Sequence, residues 1–474
     1  MSERFDAVVI GAGSEGLAAA ALLAKAGLKT AALERSAILA GQSGEAAVSA
    51  LDPRMVKSLK LTKHGLKFVA RDVSLTVLSA GGAAVAIGRD KHATAKNLAA
   101  LSPADSAAYE PFRRELYALA RTLRPLWWEE ASAADAAAAL KPVQRALFER
   151  LTVMSANAWL ATRFETEALR AALAFDAAAA GAAPSEAGSA LALVWRAAQE
   201  MSGAQGAVAI PRGGALGLHG ALSEAAQKAG AELRTASNAT RIAVTAGAVA
   251  GVTVGGATIE APLVLSTLTR RRTLGEMLPT GEIGLNAARA LARRAENHGC
   301  ATIVYSLNRV PDIGFLRGPA ATRTILAERP ESYEAALAAV RLGRAADEPL
   351  LEAVLPPPDP TAVDMSSRLQ LTVRVWPVAP DGDDKALVAR VTARLEKRAP
   401  GFAASIAGSD LRGPDGGPTS PSRLLASASE RIRTPVRGLF LCGQEAEPAN
   451  GLAARAAYQA AQFAIAQHKK GHAP

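Results

Sequence analysis

The sequence predicts an α/β protein in which a discontinuous parallel-sheet domain carries an inserted α+β domain. Three observations predict it. The first 34 residues read as strand, glycine loop, helix and strand. A second helix-and-strand unit runs from about Gly203 to Thr269, and a strand-loop-helix unit begins at Arg437 near the end of the chain. The stretches between these units are patterned differently. The expected division is residues 1–72, 203–269 and 416–474 for the parallel-sheet domain, with 73–202 and 270–415 forming the other.

Ala7-Val8-Val9-Ile10 is an unbroken apolar run, as in a parallel strand buried on both faces. It leads into Gly11-Ala12-Gly13-Ser14-Glu15-Gly16, which fits G-x-G-x-x-G and opens a helical pattern from Leu17 through Lys25. Gly27 is the C-cap candidate, and Lys29 to Leu33 reads as a second strand with Glu34 and Arg35 at its tip. Each piece has a physical task. Gly11 permits the turn, Gly13 leaves room for a diphosphate against the backbone, and Gly16 lets helix and strand pack closely. The amides and dipole at the helix N-terminus attract an anion. Glu34, 23 residues after Gly11, stands where a carboxylate binds ribose hydroxyls, and it disfavours a 2′-phosphate. Glu15 either complements the helix dipole or repels a phosphate, and both readings remain open.

The middle unit enters through Ile210-Pro211-Arg212-Gly213-Gly214 and continues as an amphipathic helix from Leu216 to Gly230. Strand candidates follow at Glu232–Arg234, Arg241–Val244, Val249–Val254 and Pro262–Thr267, with Gly255-Gly256 as a hairpin turn. In the closing unit, Arg437 to Gly443 is a strand ending in glycine, and Gly451 to Gln467 reads as a helix. The first insertion is mostly helical by period, as in Ala107 to Arg124 and Pro142 to Arg163. The second mixes strands, Cys300–Leu307 and Leu369–Val375, with a helix at Asp384–Arg398, and Pro356 to Pro360 is a rigid turn.

The bulk numbers exclude several classes. The chain is 49% hydrophobic but only 4% aromatic, and no segment reads as a membrane span. Acids in Met1 to Asp6 argue against a secretory signal, so a cytoplasmic location is expected. Two cysteines, Cys300 and Cys442, allow neither a disulfide framework nor a cysteine metal cluster, and the six histidines lack ligand spacing, so no metal is expected. The net charge of +10 suits a phosphate-bearing cofactor or an anionic membrane surface. Its densest knots, Arg270-Arg271-Arg272 and Lys469-Lys470, lack interleaved aromatics, which argues against nucleic acid and for a solvated face. Cys442 is expected to pack as a small hydrophobe, and Trp127, Trp128 and Trp195 to pack as core by default or, alternatively, to line an apolar tunnel.

With these motifs in order, the chain resembles the phytoene dehydrogenase-like FAD oxidoreductases. More closely, it resembles the branch of pyridine nucleotide-disulfide oxidoreductase-domain proteins related to carotenoid desaturases. The resemblance covers nearly the whole chain. It rests on Asp6 to Gly13 with Leu33-Glu34-Arg35, Leu51-Asp52-Pro53-Arg54 before His64-Gly65-Leu66, and Leu173-Ala174-Phe175-Asp176. It continues through Pro211 to Gly214, Ala229 to Glu232 and Arg433 to Gly443. The resemblance implies a Rossmann-like FAD-binding domain with an inserted substrate domain. It implies that Gly11, Ala12, Gly13, Ser14, Glu15 and Gly16 lie along the pyrophosphate and that Glu34 and Arg35 flank the ribose. Gly41 follows the acid, the main chain at Ala239 holds the adenine edge, and Gly443, Gly451 and Leu452 lie along the pyrophosphate, ribitol and ring. The implied activity is desaturation, dehydrogenation or isomerisation of a hydrophobic, isoprenoid or polyene substrate, with the flavin as hydride acceptor. The resemblance names no catalytic side chain.

The sequence departs from that pattern in two places. Where the family has Gly-Gly, this chain has Ala40-Gly41, and its C-terminal loop reads Glu447-Pro448-Ala449-Asn450-Gly451-Leu452-Ala453-Ala454-Arg455 instead of a glycine run. Two accounts fit: a flavoenzyme with a diverged substrate and flavin pose, or a non-catalytic subunit on the same scaffold that binds a partner protein.

Overall fold

The computed structural model describes residues 3–39, 51–78, 84–201, 203–293, 299–309, 322–356, 369–379, 382–415, 419–451 and 454–471. The opening motif folds as its pattern predicts. β1 (Ala7–Ile10) is buried along its whole length and leads into α1 (Ser14–Lys25), whose face from Leu17 to Ala24 is buried. Glu15 in the first turn and Lys25 in the last complement the helix dipole. The helix stops at Gly27, at φ +91°. There the amide of Leu28 bonds the Leu23 carbonyl at 3.2 Å and that of Gly27 bonds Ala24 at 2.9 Å, the two bonds of a Schellman cap. β2 (Thr30–Leu33) follows, also buried throughout.

Further along the chain come α2 (Gly214–Lys228), β3 (Glu232–Arg234), β4 (Leu263–Ser266), β5 (Leu439–Leu441) and α3 (Arg455–Gly471). The strands form one all-parallel sheet in the order β5-β4-β1-β2-β3. α1, α2 and α3 cover one face, burying Leu17, Leu222 and Phe463 with it. A meander of Ala239–Thr245, Ala248–Val254 and Ala257–Glu260 covers the other, packing Ile242 and Val252 on Val8 and Ile10. Its second turn is Gly255-Gly256, at φ +56° and +85°, the left-handed pair that a tight hairpin requires.

The second sheet has seven strands in the order Ile406–Asp415, Gly299–Leu307, Gln370–Val378, Leu350–Val354, Thr322–Leu326, Ser74–Leu78 and Ala84–Ile87. The first insertion is mostly helical, as its period predicts, and it also supplies the two strands Ser74–Leu78 and Ala84–Ile87, which the sequence did not single out. Ser74–Leu78 pairs in parallel with Thr322–Leu326, so the two insertions share one sheet. The expected helix from Pro142 to Arg163 is two helices, Pro142–Leu151 and Ala156–Ala161. Ser155 breaks it by capping the second: its hydroxyl accepts from the Ala158 amide at 3.1 Å. The helix expected at Ala107 to Arg124 runs from Pro103 to Trp128. Most of the proline turn, residues 357–360, lies outside the described residues. Among the described residues, no helix is long and apolar enough to cross a membrane.

Candidate cofactor site and the adjoining cavity

The tips of β1, β2 and β4 carry the candidate site. Gly11 leaves β1 at φ +89°, a region that only glycine enters freely, and a Cβ there would fall 2.1 Å from Thr267 Oγ1. A Cβ on Gly16 would fall 1.8 Å from the Gly11 carbonyl oxygen, so helix and turn are in direct backbone contact. Gly13 differs. A Cβ there meets nothing closer than Glu15 Oε2 at 3.9 Å, so this backbone stands open to the cleft. Ser14 is buried in the first turn of α1.

Glu34 faces the same loop. Its carboxylate accepts from the amides of Ala12 and Ser36, each at 3.0 Å, tying the tip of β2 to the turn after β1. A carboxylate oxygen accepts more than one hydrogen bond, so acceptor capacity remains for a hydroxyl. Gly11, Gly13, Glu34, Arg35 and Ala239 line one open cleft of about 220 Å³, together with Thr267 and Arg272. The glycine loop, the acid and the meander strand predicted to meet around an adenosine diphosphate therefore share one cleft.

The other predicted residues divide. Gly443 packs at the tip of β5, where a Cβ would lie 2.0 Å from the Thr267 carbonyl oxygen. Gly451, at φ +136°, lines a separate narrow cavity of about 30 Å³ with Asn450, Trp195 and Arg374. Gly41 and Leu452 lie outside the described residues. The arginine knot is not only a solvated face: Arg272 lines the 220 Å³ cleft, and Arg270 donates its amide to Glu445 at 2.6 Å. Cys442 is fully buried, and burial pushes its thiol well above the ordinary range, as expected of a packing residue. Trp195, expected as core, is buried and also walls the narrow cavity.

The charged residues of the C-terminal loop are buried and engaged. Glu447 accepts from the Ala456 amide at 2.6 Å, and burial raises its carboxyl above the ordinary value. Arg455 donates to Gln199 at 2.6 Å, with its Nε 4.0 Å from Asp52. Arg423 donates to the carbonyls of Glu447 and Gln444 at 2.8 and 2.6 Å. These contacts anchor Glu447 and Arg455 at the two ends of the loop, and Arg423 holds its first residues from the neighbouring segment.

The narrow cavity borders a larger one of about 350 Å³, with which it shares Asp176, Arg196, Val208 and Arg323. The larger cavity lies between the long helix Pro103–Trp128 and the strands Ser74–Leu78 and Ala84–Ile87, and Tyr109, Phe112, Leu116 and Leu173 give it an apolar wall. At the junction, Arg323 pairs with Asp176 at 2.7 Å and with Glu352, and Arg374 reaches Glu352 at 3.3 Å. Burial alone would raise both carboxyls, but the adjacent guanidinia hold them below their ordinary values. In the sequence Asp176 stands out only as part of a motif and its partners do not, because no local pattern links residues 176, 323 and 352.

No family model matches the chain. It is 26% identical to pyridine nucleotide-disulfide oxidoreductase domain-containing protein 2 of Mus musculus, over 97% of this chain and 93% of that protein. The Rattus norvegicus protein of the same name is 26% identical over 98% of this chain and 94% of its own length. Among solved structures, putrescine oxidase bound to putrescine superposes at TM-score 0.63 and 16% identity, covering 98% of this chain and 99% of that one. Cyclohexylamine oxidase from Brevibacterium oxydans gives 0.61 at 17% identity, covering 98% and 99%. This chain has their fold.

Proposed function

We propose that the chain is an FAD-dependent oxidoreductase acting on a hydrophobic substrate. One observation carries the reading: the open backbone at Gly13, the Glu34 carboxylate and Ala239 line a single cleft of about 220 Å³. These residues fit the adenosine diphosphate half of the cofactor. The amides opening α1 would face the diphosphate, and Glu34, held by Ala12 and Ser36, would accept from the ribose. Gly451, at the narrow cavity, would lie towards the ring. When bound, the flavin supplies a hydride acceptor. The chain's own part is to bind, to orient and to keep water from an apolar cavity.

The 26% identity to an oxidoreductase-domain protein supports the class. The finer reading is a desaturase, dehydrogenase or isomerase for an isoprenoid or polyene, in the manner of phytoene dehydrogenase-like proteins. It draws support from the apolar wall of the 350 Å³ cavity. We propose the same two-domain division that the sequence suggests, and loose attachment to an anionic membrane surface in keeping with the charge of +10. Nothing among the described residues favours a non-catalytic subunit.

The test is an absorption spectrum of the purified protein with added FAD. A bound flavin spectrum that bleaches with dithionite is expected. Glu34→Ala should weaken FAD about tenfold, as expected for loss of one charged hydrogen bond. A protein that takes up no flavin overturns the reading.

A further inference from the structure

The junction between the two cavities has one more cation than its carboxylates use. Three guanidinia, Arg196, Arg323 and Arg374, meet two carboxylates, Asp176 and Glu352. Arg323 engages both acids and Arg374 engages Glu352, whereas Arg196 only approaches Asp176, its Nε at 4.0 Å. Its Nη2 donates to the Gly206 carbonyl at 3.2 Å. Its Nη1 is buried with no hydrogen-bond partner among the described residues. The residue is 8% exposed and lines both the apolar cavity and the narrow one that reaches Gly451. A buried guanidinium with an idle donor is costly unless something anionic completes it. The other cations on the cavity wall are answered locally: Arg89 pairs with Asp72 at 2.5 Å, and Arg113 with Glu110 at 3.3 Å.

We infer that the 350 Å³ cavity takes an apolar molecule bearing a carboxylate, with that carboxylate on Arg196 and the chain along Tyr109, Phe112, Leu116 and Leu173. A carboxylate would accept from the idle Nη1 and cancel the local excess of charge. An amine, protonated at neutral pH, would face a cation with no free acid beside it. This names the substrate class of the proposed oxidoreductase, and it places the substrate's head at the passage towards Gly451.

Calorimetric titration of the full chain at pH 7 with decanoate, decanol and decylamine tests it. Decanoate is expected to bind at least tenfold more tightly than either of the others. Arg196→Gln should weaken decanoate about 30-fold, the worth of a charged hydrogen bond, while Arg196→Lys keeps most of the affinity. Decanol or decylamine binding as well as decanoate overturns the inference, and so does an Arg196→Gln protein that binds decanoate like the parent. The comparison of three head groups on the parent protein decides the matter even if Arg196→Gln fails to fold. An absorption spectrum of the same sample separates the two claims. Decanoate bound through Arg196 in a protein that takes up no flavin leaves this inference standing and removes the flavin reading. A flavin-loaded protein indifferent to decanoate does the reverse.

Discussion

Gly16 and Gly220 are both helical glycines, and their surroundings give them opposite consequences. A methyl on Gly16 would meet the Gly11 carbonyl oxygen at 1.8 Å, backbone against backbone, with no flexible side chain to yield. Gly16→Ala is expected to destabilise by about 3 kcal/mol, the upper end of overpacking, read as a shift in urea midpoint. Gly220 is exposed in α2, has nothing within 4 Å of where an added methyl would sit, and is not in the left-handed region. Gly220→Ala should therefore stabilise by about 1 kcal/mol through helix propensity alone. A destabilised Gly220→Ala or an unaffected Gly16→Ala would contradict the geometry. At this scale the sequence was informative: Gly11, Gly13, Gly16 and Glu34 announced their positions because a turn, a close approach and a carboxylate each demand a particular residue type. Thr267 announced nothing, although it touches both Gly11 and Gly443, because a threonine at a strand end has many uses.

Among elements, the decisive join is the ion cluster linking the helix Glu167–Ala179, which carries Asp176, to the strands Thr322–Leu326 and Leu350–Val354. Arg323→Met would leave Asp176 and Glu352 buried without their principal partner, and a loss of about 3–5 kcal/mol is expected. The cluster also sets an acid dependence. Both carboxyls lie below their ordinary values of 3.8 and 4.5 in the folded protein, so they bind protons less readily than in the unfolded chain. Their contribution is complete above those ordinary values and is lost as pH falls through the lower, folded ones. Urea midpoints measured from pH 6 to pH 3 should fall more steeply for the parent than for Arg323→Met. Equal slopes would show that the cluster is not coupled to stability. None of this was legible locally. The strands Ser74–Leu78 and Thr322–Leu326 are five residues long, and a charged residue in a buried strand reads as a surface one until its partner is known. β1 and β2 were legible because their apolar runs end at Gly11 and Glu34, and the meander because Gly255-Gly256 marks its hairpin.

For the whole molecule, the proposed cofactor bridges parts that are distant in the chain. Ligand bound only by the folded state stabilises by mass action, about 2.7 kcal/mol at a hundredfold excess over Kd. Saturating FAD should therefore raise the thermal midpoint of the parent, and Glu34→Ala should reduce that rise at a fixed FAD concentration. No change in midpoint with FAD would count against the cleft as its site. The sheet order explains why the fold class was readable while the assembly was not. Each βαβ piece carries its own signature, but pairing β4 between β1 and β5 joins residues 7, 263 and 439 without any local cue.

That same sheet order dictates a sequence of events at the ribosome. The wall around Gly13, Glu34, Ala239 and Arg272 is complete once little more than half the chain has emerged, whereas Gly451 and the strand holding Leu439 come last. A nascent chain should thus be able to grip a nucleotide by one end while the far end of its berth is still unmade. Translation intermediates arrested past residue 300 would retain ADP, and those arrested before residue 239 would not.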